Sequence, residues 1–228
     1  MARQACRSLL SRIQTRISSP PQTRSLITGM RRSALKETLL RALRSEISYE
    51  SSHLPTSPLE THFNSFTIDP REGEQWVSLT RSDDREEIKI DATLFDGSAP
   101  ETRSGDVSDG SNQRLHITLA VEVSKKDSDS EPESESGGII MQFLCSAWPD
   151  AMDVDRVYAG PRGIYAIKPY MGPEFKDLDE EVQKAVQDYL EQRGVNDELA
   201  AFLHKYAANK DRTEHVRWLQ NIESYMKK

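Results

Sequence analysis

The sequence has few of the residues from which catalytic and metal sites are built. It contains two cysteines, Cys6 and Cys145, and five histidines, which show neither H-x-H nor H-E-x-x-H spacing. Cys6 lies in a segment that we expect to be removed, so Cys145 would stand alone and no internal disulfide or cysteine-based metal cluster is predicted. A phosphate-binding glycine loop is missing as well. These absences favour a non-enzymatic protein without metal or cofactor, and a hydrolase or transferase site assembled only in three dimensions stays an alternative.

Long hydrophobic runs are also scarce. The longest weakly polar run covers residues 137–148, far short of the ~20 residues that a membrane-spanning helix needs. Hydrophobic residues make up 36% of the chain and charged residues 29%, yet the leucines, isoleucines and valines follow regular patterns. We therefore expect no membrane span, and a folded core interrupted by long polar loops.

Acidic residues are absent from positions 1–32. This segment carries seven arginines and no lysine, and since the whole chain has a net charge of -7, the remaining residues carry -14. Apolar residues within it have helical spacing, namely Leu9, Leu10, Ile13 and Ile17. An arginine-rich, amphipathic start without acids is typical of a mitochondrial transit peptide. Residues 1–32 are therefore predicted to be a leader, and residues 33–228 a domain of the mitochondrial matrix. A basic arm that binds nucleic acid is the alternative, which the acidic remainder disfavours.

The remaining sequence predicts an α+β fold. Residues 33–52 have an apolar stripe at helical spacing, formed by Leu35, Leu39, Leu40, Leu43 and Ile47. Apolar and polar residues then alternate, which indicates an antiparallel sheet buried on one face. The predicted strands are residues 63–68, 75–81, 87–94, 115–124, 139–145, 154–159 and 163–168.

Helical spacing returns near the C-terminus. Asp177 is predicted to cap a helix, because Glu180 follows at capping-box distance, and Gly194 is predicted to end it. A second helix is expected to begin near Asn196 and a third near Asp211. The third would present Val216, Leu219 and Ile222.

Two polar segments interrupt the predicted sheet, residues 97–112 and 125–138. Neither can bury enough apolar surface to offset the entropy lost on ordering, so both are expected to be mobile loops. The second is acidic and contains Asp127, Asp129, Glu131, Glu133 and Glu135. These carboxylates could bind basic client proteins, or they could form a solvated spacer that keeps the protein soluble. The sequence leaves both interpretations open.

Several C-terminal motifs resemble those of a known family. They read GPEFKDLD at 172–179, YLEQRGV at 189–195, FLHKY at 202–206 and EHVRWL at 214–219. This sequence resembles the mitochondrial glycoprotein family, also called mitochondrial acidic matrix proteins, and the plant members above all. The animal relative is a multi-ligand protein that binds a complement component. The resemblance extends from Leu35 to the C-terminus.

The resemblance carries specific expectations. It implies a strongly twisted seven-stranded antiparallel sheet flanked by one N-terminal and two to three C-terminal helices, in a ring-shaped homotrimer. It implies a matrix protein without catalysis, acting as a binding or chaperone protein that supports mitochondrial ribosome assembly, translation and oxidative phosphorylation. It supplies no catalytic residue.

The charges and helices add expectations about partners. Residues predicted to pack one copy against another are Leu35, Leu39, Leu43, Ile47, Val216, Leu219 and Ile222. An acidic body should attract basic clients such as ribosomal proteins, and we expect it to bind bare nucleic acid poorly. An RNA-linked regulatory protein of mitochondrial gene expression is the alternative function.

Overall fold

The computed structural model describes residues 21–55, 58–100, 113–126, 139–161, 170 and 172–228, of which residues 21–28, 100 and 161 are described by their backbone only. Helix α1 spans Pro21–Ser52. The strands follow as β1 His62–Phe63, β2 Phe66–Asp69, β3 Trp76–Ser82, β4 Glu86–Thr93, β5 Gly97–Pro100, β6 Gln113–Lys125, β7 Ile139–Trp148 and β8 Ala151–Pro161. A short 3-10 helix, Phe175–Asp177, precedes α2, Glu180–Glu191, and α3, Asp197–Lys227.

The strands form one antiparallel sheet. Its order is β1-β2-β3-β4-β6-β7-β8, and β5 pairs with the first residues of β6. The central register places Ile90 opposite Val121 and Leu119 opposite Cys145, so the apolar residues of neighbouring strands share one face. The predicted α+β class, with an antiparallel sheet of about seven strands between N- and C-terminal helices, is confirmed.

The core lies between this apolar face and the C-terminal helices. Leu190 of α2 and Leu199 and Leu203 of α3 belong to the same buried cluster as the sheet residues Leu79 and Phe143. The regular alternation along the strands explains this layering, because it sends every second side chain to the helix side. The opposite face of the sheet keeps the polar side chains.

Helix α1 packs against α3 rather than against the sheet. Leu40 and Leu43 are buried on α1, and Arg44 Nε donates a hydrogen bond to Glu223 Oε1 of α3 at 2.9 Å. The predicted leucine stripe therefore finds part of its partner surface within its own chain. Of the helices that the structure describes, none has the length and apolar character that crossing a membrane requires.

Several predicted boundaries in the sheet differ from those observed. Residues 63–68 form two strands instead of one, because Asn64 takes a positive φ of 49 and turns the chain. Gly97–Pro100, predicted as the start of a loop, pairs with β6 as β5. A Cβ at Gly97 would lie 3.4 Å from His116 Cβ, which is an ordinary van der Waals contact. Lys125 belongs to β6, whereas residues 101–112, 127–138 and 163–168 lie outside the described residues.

The helical predictions need two corrections. The cap of α2 is Asp179, whose side chain accepts a hydrogen bond from Glu181 N, while Asp177 ends the 3-10 helix that buries Phe175. The expected second and third helices are a single helix, α3, because no proline or glycine interrupts the segment around Asp211. Gly194 does end the segment after α2, with a positive φ of 80.

Candidate binding surface

The polar face of the sheet is the face opposite the buried core. Cross-strand pairing arranges its side chains in rows, such as Thr80, Lys89, Glu122, Gln142 and Tyr158. Most of these side chains are half-buried rather than fully exposed. A half-buried polar surface of this kind suits the binding of a polar partner.

Asp91 lies near the centre of the polar face and is held ionised by its neighbours. Ser78 Oγ donates to Asp91 Oδ1 at 2.6 Å, and Lys89 Nζ lies 2.7 Å from Asp91 Oδ2. Burial favours a higher pKa for Asp91, but the hydrogen bonds from Lys89 and Ser78 together with the charge of Lys89 outweigh it, and the pKa is lowered. Asp91 therefore keeps its negative charge on this surface.

A second network on the polar face centres on His116. Its Nδ1 lies 2.7 Å from Asp96 Oδ1 and its Nε2 lies 2.8 Å from Ser146 Oγ. Ser146 Oγ in turn donates to Asp155 Oδ2 at 2.7 Å. Asp96 precedes β5, and Asp155 is the extra residue of β8 at a register shift between Leu144 and Cys145, so the network joins a turn, two paired strands and a bulge.

The distances in this network resemble those of a serine–histidine–aspartate triad. The direction of its hydrogen bonds is different. A serine hydroxyl has one proton, and Ser146 gives it to Asp155, so Nε2 of His116 must donate to Ser146 rather than accept from it. A nucleophilic serine needs the opposite arrangement, in which the histidine removes the hydroxyl proton. The hydroxyl of Ser146 is thus engaged by Asp155, and the arrangement differs from that of a nucleophilic serine.

The pKa of Asp96 is lowered by hydrogen bonds, as that of Asp91 is. Burial alone would raise its pKa, but hydrogen bonds from Thr118, His116 and Thr93 outweigh the burial, and the pKa is lowered. Thr93 Oγ1 donates to Asp96 Oδ2 at 2.8 Å. The carboxylate stays charged while remaining fixed in position.

Carboxylates outnumber basic groups on the polar face. The acidic residues are Glu87, Asp91, Asp96, Glu122, Asp153 and Asp155, and the basic ones are Lys89, Arg114 and Arg156. Arg114 is further occupied by an ion pair with Asp150 and lies over the Trp148 ring, 5.4 Å from its centroid. The face thus presents net negative charge in fixed positions.

Chemistry that requires a reactive thiol or a metal finds no support in the described part of the chain. Cys145 is fully buried, and burial together with the charge of Asp155 raises the pKa of its thiol to about 12. Within the same ranges no group of three or more histidine, cysteine, aspartate or glutamate side chains is placed to hold a metal ion.

The acidic residues singled out in the sequence lie outside the described residues. These are Asp127, Asp129, Glu131, Glu133 and Glu135. Their segment connects the end of β6 to the start of β7, at the end of the sheet where Ser124 pairs with Ile140. Sequence reasoning missed the His116 network, because its members are separated by long stretches of chain and share no motif.

The residues predicted to pack copies together have different environments. Leu43, Val216 and Leu219 are buried within the single chain, and Ile47 and Ile222 are half-buried. Leu35 and Leu39 are exposed.

Two further aromatic residues, Trp218 and Tyr225, are 58% and 77% exposed on α3. Their seven-residue spacing places both on one side of the helix, which is a signal that the sequence already contained.

Comparisons with known proteins agree with this architecture. A family model described as mitochondrial glycoprotein matches residues 43–226. An uncharacterized mitochondrial protein of Arabidopsis thaliana is 30% identical over 206 residues, covering 87% of this chain and 78% of that protein. The mitochondrial acidic protein mam33 of Schizosaccharomyces pombe is 24% identical over 223 residues, covering 84% of this chain and 79% of the relative.

Solved structures share the fold at lower identity. The Trypanosoma brucei p22 protein superposes with a TM-score of 0.63 at 22% identity, over 85% of this chain and 99% of that one. A Leishmania major protein, described as a sequence homologue of human p32, gives a TM-score of 0.58 at 17% identity, over 84% of this chain and 98% of that one.

Proposed function

From the premise that this chain belongs to the mitochondrial glycoprotein family, we propose that it is a non-enzymatic acidic binding protein of the mitochondrial matrix. Its task is to hold basic client proteins, among them ribosomal proteins, and so to support mitochondrial ribosome assembly, translation and oxidative phosphorylation. Residues 1–32 serve as its transit peptide. The relatives that it resembles are named as mitochondrial and, in fission yeast, as acidic.

The polar face of the sheet carries this proposal. Hydrogen bonds fix Asp91 and Asp96 and lower the pKa of each, and Asp155 accepts a hydrogen bond from Ser146, so these carboxylates present negative charge in a defined pattern. Basic segments of a client can pair with these charges. Little conformational entropy is lost on the side of this protein, because the carboxylates are already held in position. The same charges repel the phosphates of bare RNA, which argues for a protein client.

A homotrimer is part of the proposal. Leu35 and Leu39 on α1 and Trp218 and Tyr225 on α3 are exposed apolar side chains that a second copy could cover. Covering them would offset the repulsion between acidic chains. The acidic segment 127–135 would add further carboxylates for clients.

Salt dependence tests the proposed function. Full-length protein on a resin is incubated with mitochondrial matrix extract at low and at high salt, and the bound proteins are identified. Charge-based binding predicts basic proteins at low salt and their loss at high salt, because salt screens charges beyond about 10 Å at 0.1 M. Recovery of the same clients at both salt concentrations would refute the electrostatic mechanism.

A further inference from the structure

The N-terminal part of α1 extends beyond the helix layer. Arg44 pairs with Glu223 close to the C-terminal end of α3, and Leu40 is the first buried residue along the described side chains of α1. The side chains of residues 29–35 are all exposed. The part of α1 that overlaps the leader is therefore not held by contacts with α3.

The leader and the rest of the chain have opposite charges. Residues 1–32 carry +7 and residues 33–228 carry -14. A guanidinium group stays charged at every physiological pH, and its planar fork matches the geometry of a carboxylate. The leader is thus a basic segment of the kind proposed for clients, and it is covalently attached to the acidic body. Its charged residues are Arg3, Arg7, Arg12, Arg16, Arg24, Arg31 and Arg32.

The polar face of the sheet offers the complementary carboxylates. Asp153 lies opposite Ser146 in the register of β7 and β8, and Asp155 accepts a hydrogen bond from Ser146 at 2.7 Å. Asp96 Oδ1 lies 2.7 Å from His116 Nδ1 on the same face. The side chains of Asp153 and Asp155 are exposed, while α2 and α3 cover the other face of the sheet. This acidic face is open to a basic segment.

The length of the leader allows it to reach this face. Twenty residues precede Pro21, and an extended chain of that length spans up to roughly 70 Å. A domain of the size of residues 33–228 has a radius of gyration of about 16 Å. A segment tethered over such a distance has an effective concentration of about 1 mM at its target. A free client therefore competes with the leader at a disadvantage.

We propose that the leader, before it is removed, occupies the polar face of its own chain, with its guanidinium groups paired to the carboxylates around Ser146. Clients then gain full access to the face after the leader has been removed. This contact rests on the proposed function, since it takes residues 1–32 as a transit peptide and the polar face as the surface for clients.

Two variants of the full chain that lose the same charge test this contact. In the leader variant, glutamine replaces three arginines of the leader, and in the helix variant it replaces three exposed basic residues of α2 and α3 and of the C-terminus. The affinity of each protein for a fluorescent arginine-rich peptide is measured at low salt. The substitutions are Arg7→Gln, Arg12→Gln and Arg16→Gln in the leader variant, and Lys184→Gln, Arg212→Gln and Lys228→Gln in the helix variant.

The leader variant should bind the peptide about fivefold more tightly than the wild type. The reason is that an occupied face lowers the apparent affinity in proportion to the fraction of molecules whose face is free. The helix variant should stay within about twofold of the wild type. Equal gains in both variants would mean that the peptide senses only the net charge, and they would overturn the proposal.

A second pair of substitutions locates the leader on the sheet. Asp153→Asn/Asp155→Asn, added to the leader variant and to the wild type, should remove the difference in affinity between them. Asp188→Asn/Glu191→Gln, which removes the same charge from α2, should preserve that difference. A difference that persists without Asp153 and Asp155 would place the leader elsewhere and overturn the proposal.

Protein concentration separates a contact within one chain from a contact between copies. The difference between the wild type and the leader variant should stay constant when the protein is diluted, because a tethered leader has a fixed effective concentration. Loss of the difference on dilution would mean that the leader of another copy occupies the face, and it would overturn the contact within the chain.

The same titrations distinguish failure of this contact from failure of the proposed function. If the peptide binds the wild type and the leader variant equally tightly and binds Asp153→Asn/Asp155→Asn weakly, only the leader contact is refuted. If the peptide binds none of these proteins, the polar face does not attract basic segments. The proposed function is then refuted, and the leader contact with it.

Discussion

At the scale of single residues, a buried charge fixes the turn between β2 and β3. Lys210 is fully buried, and its Nζ donates to the carbonyl oxygens of Arg71 and Glu74 at 3.1 and 2.5 Å. Burial lowers the pKa of Lys210, although the charge of Glu214, 3.9 Å away, opposes the change. The carbonyl acceptors explain why a lysine is tolerated in the interior, since they satisfy two of its protons.

Because of Cys145, the free energy of unfolding should fall as the pH rises through the alkaline range. Burial raises its pKa from 9.0 to about 12 in the folded chain, so the unfolded chain loses the thiol proton first. This contribution is fully present below about pH 9 and is lost as the pH rises towards 12.

Between about pH 8 and 10, Cys145 should account for about 1 kcal/mol of the loss of unfolding free energy. Urea unfolding under reducing conditions should therefore show a smaller loss for Cys145→Val than for the wild type. Equal losses in both proteins would mean that the thiol titrates normally in the fold.

At the scale of secondary-structure elements, the start of α2 offers a direct comparison between two aspartates. Asp179 accepts a hydrogen bond from Glu181 N, whereas Asp177 lies in the 3-10 helix. Asp179→Ala should lower the unfolding free energy by about 1 kcal/mol, the usual cost of losing an N-cap. Asp177→Ala is the matched control, and it should lower the unfolding free energy by only a few tenths as much as Asp179→Ala does. If thermal or urea unfolding showed that Asp177→Ala destabilises the protein more than Asp179→Ala does, Asp177 would be the cap.

The elements were predictable from sequence where their pattern was local. Alternation of apolar residues located β4 and β6, because burial on one face leaves a period of two. A more continuous apolar run located β7. The cap of α2 was misplaced, because Asp177 matched the capping-box spacing and the burial of Phe175, which favours the 3-10 helix, is a tertiary effect.

The predicted break near Asp211 failed for a related reason. A third helix was expected to begin near Asp211, but the carbonyl groups of Arg71 and Glu74 allow Lys210 to be buried inside a continuous helix. The His116 network was equally hidden, since it joins Asp96 before β5, Ser146 on β7 and Asp155 at the irregular pairing of β7 with β8. Contacts between distant segments cannot be read from local spacing.

At the scale of the whole molecule, charge and exposed apolar surface act in opposite directions. Residues 33–228 carry a net charge of -14, which opposes association of copies, while Leu35, Leu39, Trp218 and Tyr225 favour it. The proposed trimer requires that the apolar contacts outweigh the repulsion. Higher salt should therefore strengthen the trimer while it weakens client binding.

Trp218→Ala tests the proposed packing of copies. Trp218 is 58% exposed on α3, so its removal should leave the folded chain stable and shift the mass measured by light scattering from trimer towards monomer. Trp76→Ala is the matched control, because Trp76 is 45% exposed on β3, away from the helices. A trimeric mass for Trp218→Ala, or a monomeric mass for the wild type, would contradict this role.

The most direct test concerns the polar face itself. The affinity of the full chain for an arginine-rich peptide is compared between Asp153→Asn/Asp155→Asn, on the polar face, and Asp188→Asn/Glu191→Gln, on α2 at the opposite side of the sheet. Both variants lose two negative charges, so the overall charge is matched. We predict a loss of about tenfold or more for the polar-face variant and little change for the other. Equal weakening in both would show that clients sense only the total charge, and it would contradict a binding surface on the sheet.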